Sequence, residues 1–374
     1  MSNRRKIFSI SKNKCYDMVI PGITEKRCWG SSYGWIVTQD FNMNFKLFNP
    51  ITKAELSLPS LYDLPPYSNT YTFDEVLSDG SSSDDMMEGY PWAMKVLVQK
   101  FIVLKIPGSN NIDELVVFVI HYPIDSISFA RPGDKAWTEV IEPWPRNPHR
   151  PFIHHAMVWD GKVLCSHIDD TGNNAGIAYL DTASIAFAAS SSNHVMAKNH
   201  SIIPYNLYGN TLETSMHAIA TEGEMYMVEL AGDLLIVLRQ RESGISDQDG
   251  QAEYTYLWEN KHCYRTINFK VYKLVRNTKS LLWENVDDLG NYMLFVGDNY
   301  ATAVHTSEAP NCQKNAIYYI DDEQRVYWGA SCGTDVRGHD MGMFDMASGY
   351  ITSFYDGGDT ISKYFAPIWF MPNF

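Results

Sequence analysis

Two short runs constrain this chain more than any other feature: Val116-Val117-Phe118-Val119-Ile120 and Leu234-Leu235-Ile236-Val237-Leu238 are apolar at every position. A strand sends successive side chains to opposite faces, so a run with no polar alternation needs both faces buried. Neither run reads as part of a helix, because no fifteen-residue window carries a convincing stripe of apolar residues at i, i+3, i+4 and i+7. Shorter β-rich runs recur instead between turn residues, at 34–38, 45–48, 225–230 and 316–320. Several flank a glycine that supplies a positive φ: Trp159-Asp160-Gly161-Lys162-Val163, Thr221-Glu222-Gly223-Glu224-Met225, Leu230-Ala231-Gly232-Asp233-Leu234 and Ala347-Ser348-Gly349-Tyr350. These patterns predict hairpins joined in series.

In an antiparallel protein, a strand buried on both faces requires sheets stacked face against face. A sandwich achieves this once, and a ring of four-stranded blades achieves it at every blade junction. Grouping the runs by fours gives units near 27–59, 95–142, 156–203, 217–286 and 300–355, with strand-like ends near 7–20 and 364–374. The expectation is an all-β fold, a β-propeller of six blades, with five or seven compatible with the same spacing. A short basic tail, 1–6, precedes a single domain over 7–374, whose ring is closed by pairing the N- and C-terminal strands. Such closure leaves no open edge.

At 374 residues, 45% hydrophobic and 20% charged, the chain has the material for a large core. Its 30 Lys and Arg against 44 Asp and Glu leave a net charge of −14, a field that repels phosphate backbones and disfavours nucleic-acid partners. The longest apolar run, from Leu115 to Ile120, is about six residues against the roughly 20 a bilayer requires, so no membrane partner is expected. The start, MSNRRKIFSISKNK, lacks a secretory apolar core, which points to a reducing intracellular compartment, cytoplasm or nucleus. Arg4, Arg5 and Lys6 faintly resemble an organellar presequence, but Ile7 onward reads better as a strand. Six widely spread cysteines, Cys15, Cys28, Cys165, Cys263, Cys312 and Cys332, form no Cys-x-x-Cys pair and read as small core hydrophobes.

No motif makes a convincing active site. Gly30-Ser31-Ser32-Tyr33-Gly34 fits the spacing of a nucleophile elbow, but that motif needs a strand-to-helix turn and Trp35-Ile36-Val37-Thr38 is a strand. His154, His155, His167, Asp169 and Asp170 lie close in sequence, and imidazole with carboxylate suits zinc or iron. Neighbouring histidines on a strand point to opposite faces, however, and no helical His-Glu-x-x-His pattern is present. His339-Asp340 reads as a residue pair that bonds to backbone turns. Asp79, Asp84, Asp85 and Glu88 lack the register and central glycine of a calcium loop, and read with Ser81–Ser83 as a solvated linker. No cofactor is implied. Of the ten tryptophans most are expected in blade packing, whereas Trp92 and Trp144 sit in the proline-rich stretches Tyr90-Pro91-Trp92 and Pro143-Trp144-Pro145 and are the candidates for a partner surface.

Several blocks, in order, resemble the KIB-type β-propeller domain of plant F-box proteins: Gly30-Ser31-Ser32-Tyr33-Gly34-Trp35, Leu47-Phe48-Asn49-Pro50-Ile51-Thr52, Arg131-Pro132-Gly133-Asp134-Lys135-Ala136-Trp137-Thr138, Gly232-Asp233-Leu234-Leu235, Phe269-Lys270-Val271-Tyr272, Leu294-Phe295-Val296-Gly297, Asn315-Ala316-Ile317-Tyr318-Tyr319-Ile320-Asp321-Asp322 and Asp340-Met341-Gly342-Met343-Phe344. The resemblance implies a non-enzymatic propeller that captures a protein partner, as the substrate receptor of a ubiquitin ligase. In such members an upstream F-box binds a Skp1-type adaptor. This sequence begins almost directly at the first propeller strand, so adaptor binding is expected only if an F-box is supplied elsewhere. The rival expectation is a propeller enzyme, a hydrolase or metal-dependent, with its site at the mouth of the central channel.

Overall fold

A computed structural model of the chain describes residues 5–23, 26–40, 42–60, 63–64, 98–107, 113–121, 126–141, 151–169, 175–181, 185, 194–196, 203–204, 223–243, 264–277, 280–297, 301–322, 340–354 and 367–370. An N-terminal hairpin pairs β1 (Arg5–Ser9) with β2 (Lys14–Met18). The first sheet then runs β3 (Arg27–Ser32), β4 (Trp35–Gln39), β5 (Phe45–Phe48) and β6 (Glu55–Ser57), each strand antiparallel to the one before. The second contains β7 (Val98–Pro107), β8 (Asp113–His121), β9 (Ser126–Ala130) and β10 (Thr138–Ile141). The third contains β11 (Pro151–Trp159), β12 (Lys162–Asp169) and β13 (Ala175–Asp181). After β13 the chain sends β14 (His194–Met196) back to pair in parallel with β10 before β15 (Ile203–Pro204) completes the third sheet. The fourth is β16 (Gly223–Leu230), β17 (Asp233–Ser243), β18 (Tyr264–Asn277) and β19 (Ser280–Asn285). The fifth comprises β20 (Tyr292–Val296), β21 (Thr302–His305), β22 (Ala316–Tyr319), β23 (Gly342–Asp345) and β24 (Ile351–Ser353), in spatial order β21-β20-β22-β23-β24 with β20 and β22 parallel.

Local chemistry explains the hairpins. Tyr33 and Gly34 between β3 and β4 have φ of 54° and 78°, and Asp160 with Gly161 and Ala231 with Gly232 repeat the pattern between β11 and β12 and between β16 and β17. Two successive positive φ values make the turn whose twist matches that of paired strands. The Gly30-to-Gly34 motif is therefore a strand and its hairpin turn, with no helix behind Ser32. The turn expected at Thr221 to Met225 does not form: Gly223 is the first residue of β16 and pairs with Gln240.

The two fully apolar runs do what their composition requires. On β8, Val117 and Val119 pack with Trp29, Val37, Phe45, Phe101 and Trp137 between the first and second sheets, while Val116, Phe118 and Ile120 pack with Ala156, Val163 and Cys165 of the third. On β17, Leu234, Ile236 and Leu238 meet Leu164 and Ile177 of the third sheet, and Leu235 and Val237 meet Leu294, Ile317 and Phe344 of the fifth. Each such side chain, wholly removed from water, contributes about 1.5–3 kcal/mol. The edge strands of successive sheets lie side by side, β3 by β7, β7 by β11, β11 by β16 and β16 by β21, which is the arrangement of propeller blades around an axis.

Beyond the fifth sheet, segments from both halves of the chain pack on the same cluster. Ile10 and Trp369 both pack on the cluster of Met293, Phe295 and Tyr318, and the Trp369 indole donates to the Val296 carbonyl at 2.8 Å. Arg5 donates to the carbonyls of Ile23 and Lys26, just before β3. Residues 367–370 adopt no regular secondary structure, and the rest of the strand expected at 364–374 lies outside the described residues. The cysteines are less uniform than expected: Cys165 is buried, Cys28 and Cys312 are half-buried, and Cys15 is exposed on β2 at the protein surface.

Candidate functional site

In a propeller the corresponding strands of all blades run in the same direction, so the two ends of the ring can be compared. At one end lie the starts of β3, β7, β11 and β16 and the finishes of β4, β8, β12 and β17. At the other lie the tight turns at 33–34, 160–161 and 231–232 and the turn after β5, where the Asn49 carboxamide accepts from the amides of Ile51 and Thr52. Among the described residues most buried polar side chains gather at the first end, including Gln39, Lys100, His121, Ser128, His155, Ser166, Arg239, Arg241, Thr266, Asp322 and Asp340, whereas Asn49 lies at the other. The chain segments 58–97, 142–150, 205–222, 244–263 and 323–339 all leave and rejoin the sheets at that same end.

The densest part of this end is built by β17. Residues 235, 237, 239 and 241 share the face turned to the fifth sheet, so the apolar row Leu235, Val237 is continued by Arg239 and Arg241. Opposite them β18 is bulged: Gln240 pairs with Asn268 and Arg241 with Thr266, leaving Ile267 as the extra residue. The bulge turns Thr266 onto the arginine face and pushes Ile267 outward, where it is 47% exposed.

Arg239 is wholly buried and all three of its guanidinium nitrogens are engaged. Nε donates to Thr266 Oγ1 at 2.7 Å, Nη1 to Asp322 Oδ1 at 2.7 Å and the Ile320 carbonyl at 2.8 Å, and Nη2 to both the carboxylate and the carbonyl of Asp340 at 2.9 Å. The guanidinium lies over the Tyr319 ring, 4.6 Å from its centroid. Arg241 donates to Asp322 Oδ1 and comes within 3.9 Å of Glu224 at the more exposed edge. The Tyr226 hydroxyl donates to the other Asp322 oxygen at 2.7 Å, and the Thr266 amide and hydroxyl each donate to Asp340 at 2.9 Å. Burial pushes the Asp322 carboxyl up to about 6 against the downward pull of both arginines. Burial acts on Asp340 in the same sense, but Arg239, Arg241 and the Thr266 donors outweigh it and hold that carboxyl below its ordinary value. Burial also raises Tyr226 and Tyr319, which stay protonated and able to donate.

The residues singled out from sequence fall elsewhere. Trp92 and Trp144 lie outside the described residues, as do His339, Asp170 and the acidic segment 78–88. His155 is buried after a bulge at His154 on β11, and its amide bonds the Ser166 hydroxyl. Among the described residues no three His, Cys, Asp or Glu side chains come together as metal ligands. Asp340 does bond to a backbone amide, as read from sequence, but the amide is that of Thr266, from another sheet. Of the tryptophans, Trp29 and Trp137 are core residues, and Trp35, Trp159, Trp283 and Trp369 are half-buried against the blades. Sequence reasoning missed Arg239, Arg241 and Asp322. The available signal was alternation: a strand that reads Leu235, Val237, Arg239, Arg241 on one face carries cations into a seam and demands acids from another element.

The family model described as KIB1-4 beta-propeller matches residues 7–345. No curated protein matches the chain. Among solved structures, an apocarotenoid oxygenase mutant (Glu150Asp) from Synechocystis aligns at 9% identity and a TM-score of 0.39, covering 91% of this chain and 60% of that one. This chain thus spans 60% of the length of that oxygenase. YCF48 from Cyanidioschyzon merolae aligns at 10% identity and a TM-score of 0.29, covering 73% of this chain and 76% of that one.

Proposed function

The chain belongs to the KIB1-4 β-propeller family, and on that premise we propose that it is a non-enzymatic receptor that holds a protein partner at the end of the ring where its long connections emerge. One observation carries the reading: the two ends of the ring differ in kind. The tight-turn end carries the two-residue turns and shorter connections such as 131–137, 182–193 and 306–315, whereas the other presents the longest ones, 58–97, 205–222, 244–263 and 323–339, on a rigid base, the form in which scaffolds display recognition loops. With a net charge of −14, the protein steers toward a basic surface on its partner. The family resemblance extends the proposal to the substrate-receptor role in an F-box ubiquitin ligase, with a Skp1-type adaptor as the neighbouring subunit.

The test is quantitative affinity purification from source tissue, comparing the intact protein with two sets of variants. One set shortens connections 142–150 and 244–263 to glycine-serine linkers, and the other replaces Tyr33 and Tyr350 at the opposite end with alanine. Partners lost only in the first set support the reading. Partners retained in the first set, or lost only in the second, overturn it. Co-recovery of a Skp1-type adaptor and a cullin supports the ligase role, and their consistent absence removes it.

A further inference from the structure

The Arg239 cluster joins residues that flank three separate connections. Glu224 and Tyr226 follow segment 205–222, Arg239 and Arg241 precede segment 244–263 while Thr266 follows it, and Asp322 and Asp340 stand on either side of segment 323–339. We propose that Arg239 is a positioning residue that makes these three bases one cooperative unit, so that releasing one releases the others. The inference rests on the reading above for its biological meaning, since it would let contact at one connection alter the presentation of the other two.

The physical ground is that no member of the cluster can leave singly. Arg239 bonds at once to β18, through Thr266 Oγ1, and to both flanks of segment 323–339, through Asp322 and Asp340. If Asp322 moves away, two buried guanidiniums lose their shared acceptor and Tyr226 loses the carboxylate oxygen to which it donates. If Asp340 moves, the Thr266 amide and hydroxyl lose their acceptor together with Arg239 Nη2. A buried ion left without its partner is far more costly than a cluster that opens as a whole and hydrates all its members. The seam between the first and second sheets lacks this property. It is closed by apolar residues, among them Trp29, Phe45, Phe101 and Trp137, and their separation strands no buried charge.

Native-state hydrogen exchange on the full chain, read by mass spectrometry without any partner, tests the coupling. Thr266→Val keeps the shape and the backbone amide but removes the hydroxyl that accepts from Arg239 and donates to Asp340, and Thr266→Ser restores that hydroxyl. Asp322→Asn is a second, isosteric variant that removes the shared charge. The expected result in the valine and asparagine variants is a parallel loss of protection at 223–226, 264–268 and 340–342. Its size should be roughly 10- to 100-fold, the effect of losing a hydrogen bond to a charged group. Protection should return with serine and be unchanged throughout at 27–39. Loss confined to the strand that carries the substitution, or no loss at all, overturns the proposal. A stability role alone would lower protection in every sheet alike, which also overturns it. Because no partner is present, failure here leaves the receptor reading to its own test.

Discussion

The two faces of the fifth sheet are covered by different means. Toward the fourth sheet, Ile317, Tyr319 and Phe344 meet Phe269 and Val271, and the seam ends in the Arg239 cluster with two carboxylates at hydrogen-bond distance. Toward the N-terminal hairpin, Met293, Phe295 and Tyr318 are covered by Ile10, Phe354 and Trp369, with Phe295 and Trp369 edge to face at 5.2 Å and Phe8 beside Phe354 at 5.4 Å. The hairpin also carries or adjoins Ile7, Phe8, Met18 and Val19, four of the seven exposed large hydrophobics among the described residues, so its cover is incomplete. The difference is one of specificity. Ionic groups in a dry seam accept one alignment of the two sheets, because any other strands a charge. The aromatic contacts of the other face strand no charge when the alignment shifts.

The largest effect expected from this contrast is that of Arg239→Ala, which leaves the buried Asp322 and Asp340 with Arg241 as their shared cation and should cost about 3–5 kcal/mol in urea unfolding. On the other face, Trp369→Ala removes a half-buried ring and its bond to Val296, for roughly 2–3 kcal/mol. If the tryptophan variant proved the less stable of the two, the distinction between the seams would be lost. Gly22→Ala probes the covering of the first sheet, since a Cβ there would collide with the edge of the Phe48 ring, and a loss of about 1–2 kcal/mol is expected in the same assay.

Smaller effects sharpen the comparison through pH. Asp322 is held above its unfolded value, so the folded chain binds more protons than the unfolded one between about pH 4 and 6, and this group makes stability fall as pH rises through that window. Asp340 has the opposite sense: its contribution is present above about pH 4 and lost as pH falls below it. Melting temperatures from pH 4 to 7 should therefore show a downward component in the wild type that Asp322→Asn removes, amounting to about one proton of linkage. An unchanged profile would mean that burial does not govern this carboxyl. The smallest effect is that of Phe8→Ala on the exposed side of the hairpin, under about 1 kcal/mol. A larger loss would show that the terminal seam is better sealed than its exposed residues indicate.

Much of the fold could be read before any coordinates. The runs at 116–120 and 234–238 announced strands buried on both faces, and Asp160-Gly161 and Ala231-Gly232 announced hairpins, because strand alternation and a positive φ are local matters. The four-strand grouping placed the first four sheets to within about six residues of their bounds, except that β14, grouped with the third, belongs to the second. Gly223 shows the limit of the same reasoning, since a glycine suited to a turn was drawn into β16 by its pairing with Gln240. The candidate site was largely illegible. Trp92 and Trp144 were chosen for their loop-like surroundings, which carry no information about what the sheets bring together.

What the sequence determined by itself is the all-β class, the stacking of sheets and the position of most hairpins, since these depend on alternation and on a few residues in succession. Only the tertiary structure decided the parallel pairing of β20 with β22, the return of β14 to the second sheet and the meeting of Arg239 with Asp322 and Asp340, 83 and 101 residues away along the chain. Pairing at such separations is settled by which surfaces the packed sheets leave facing one another. A buried charge can take only the acceptors that this packing supplies.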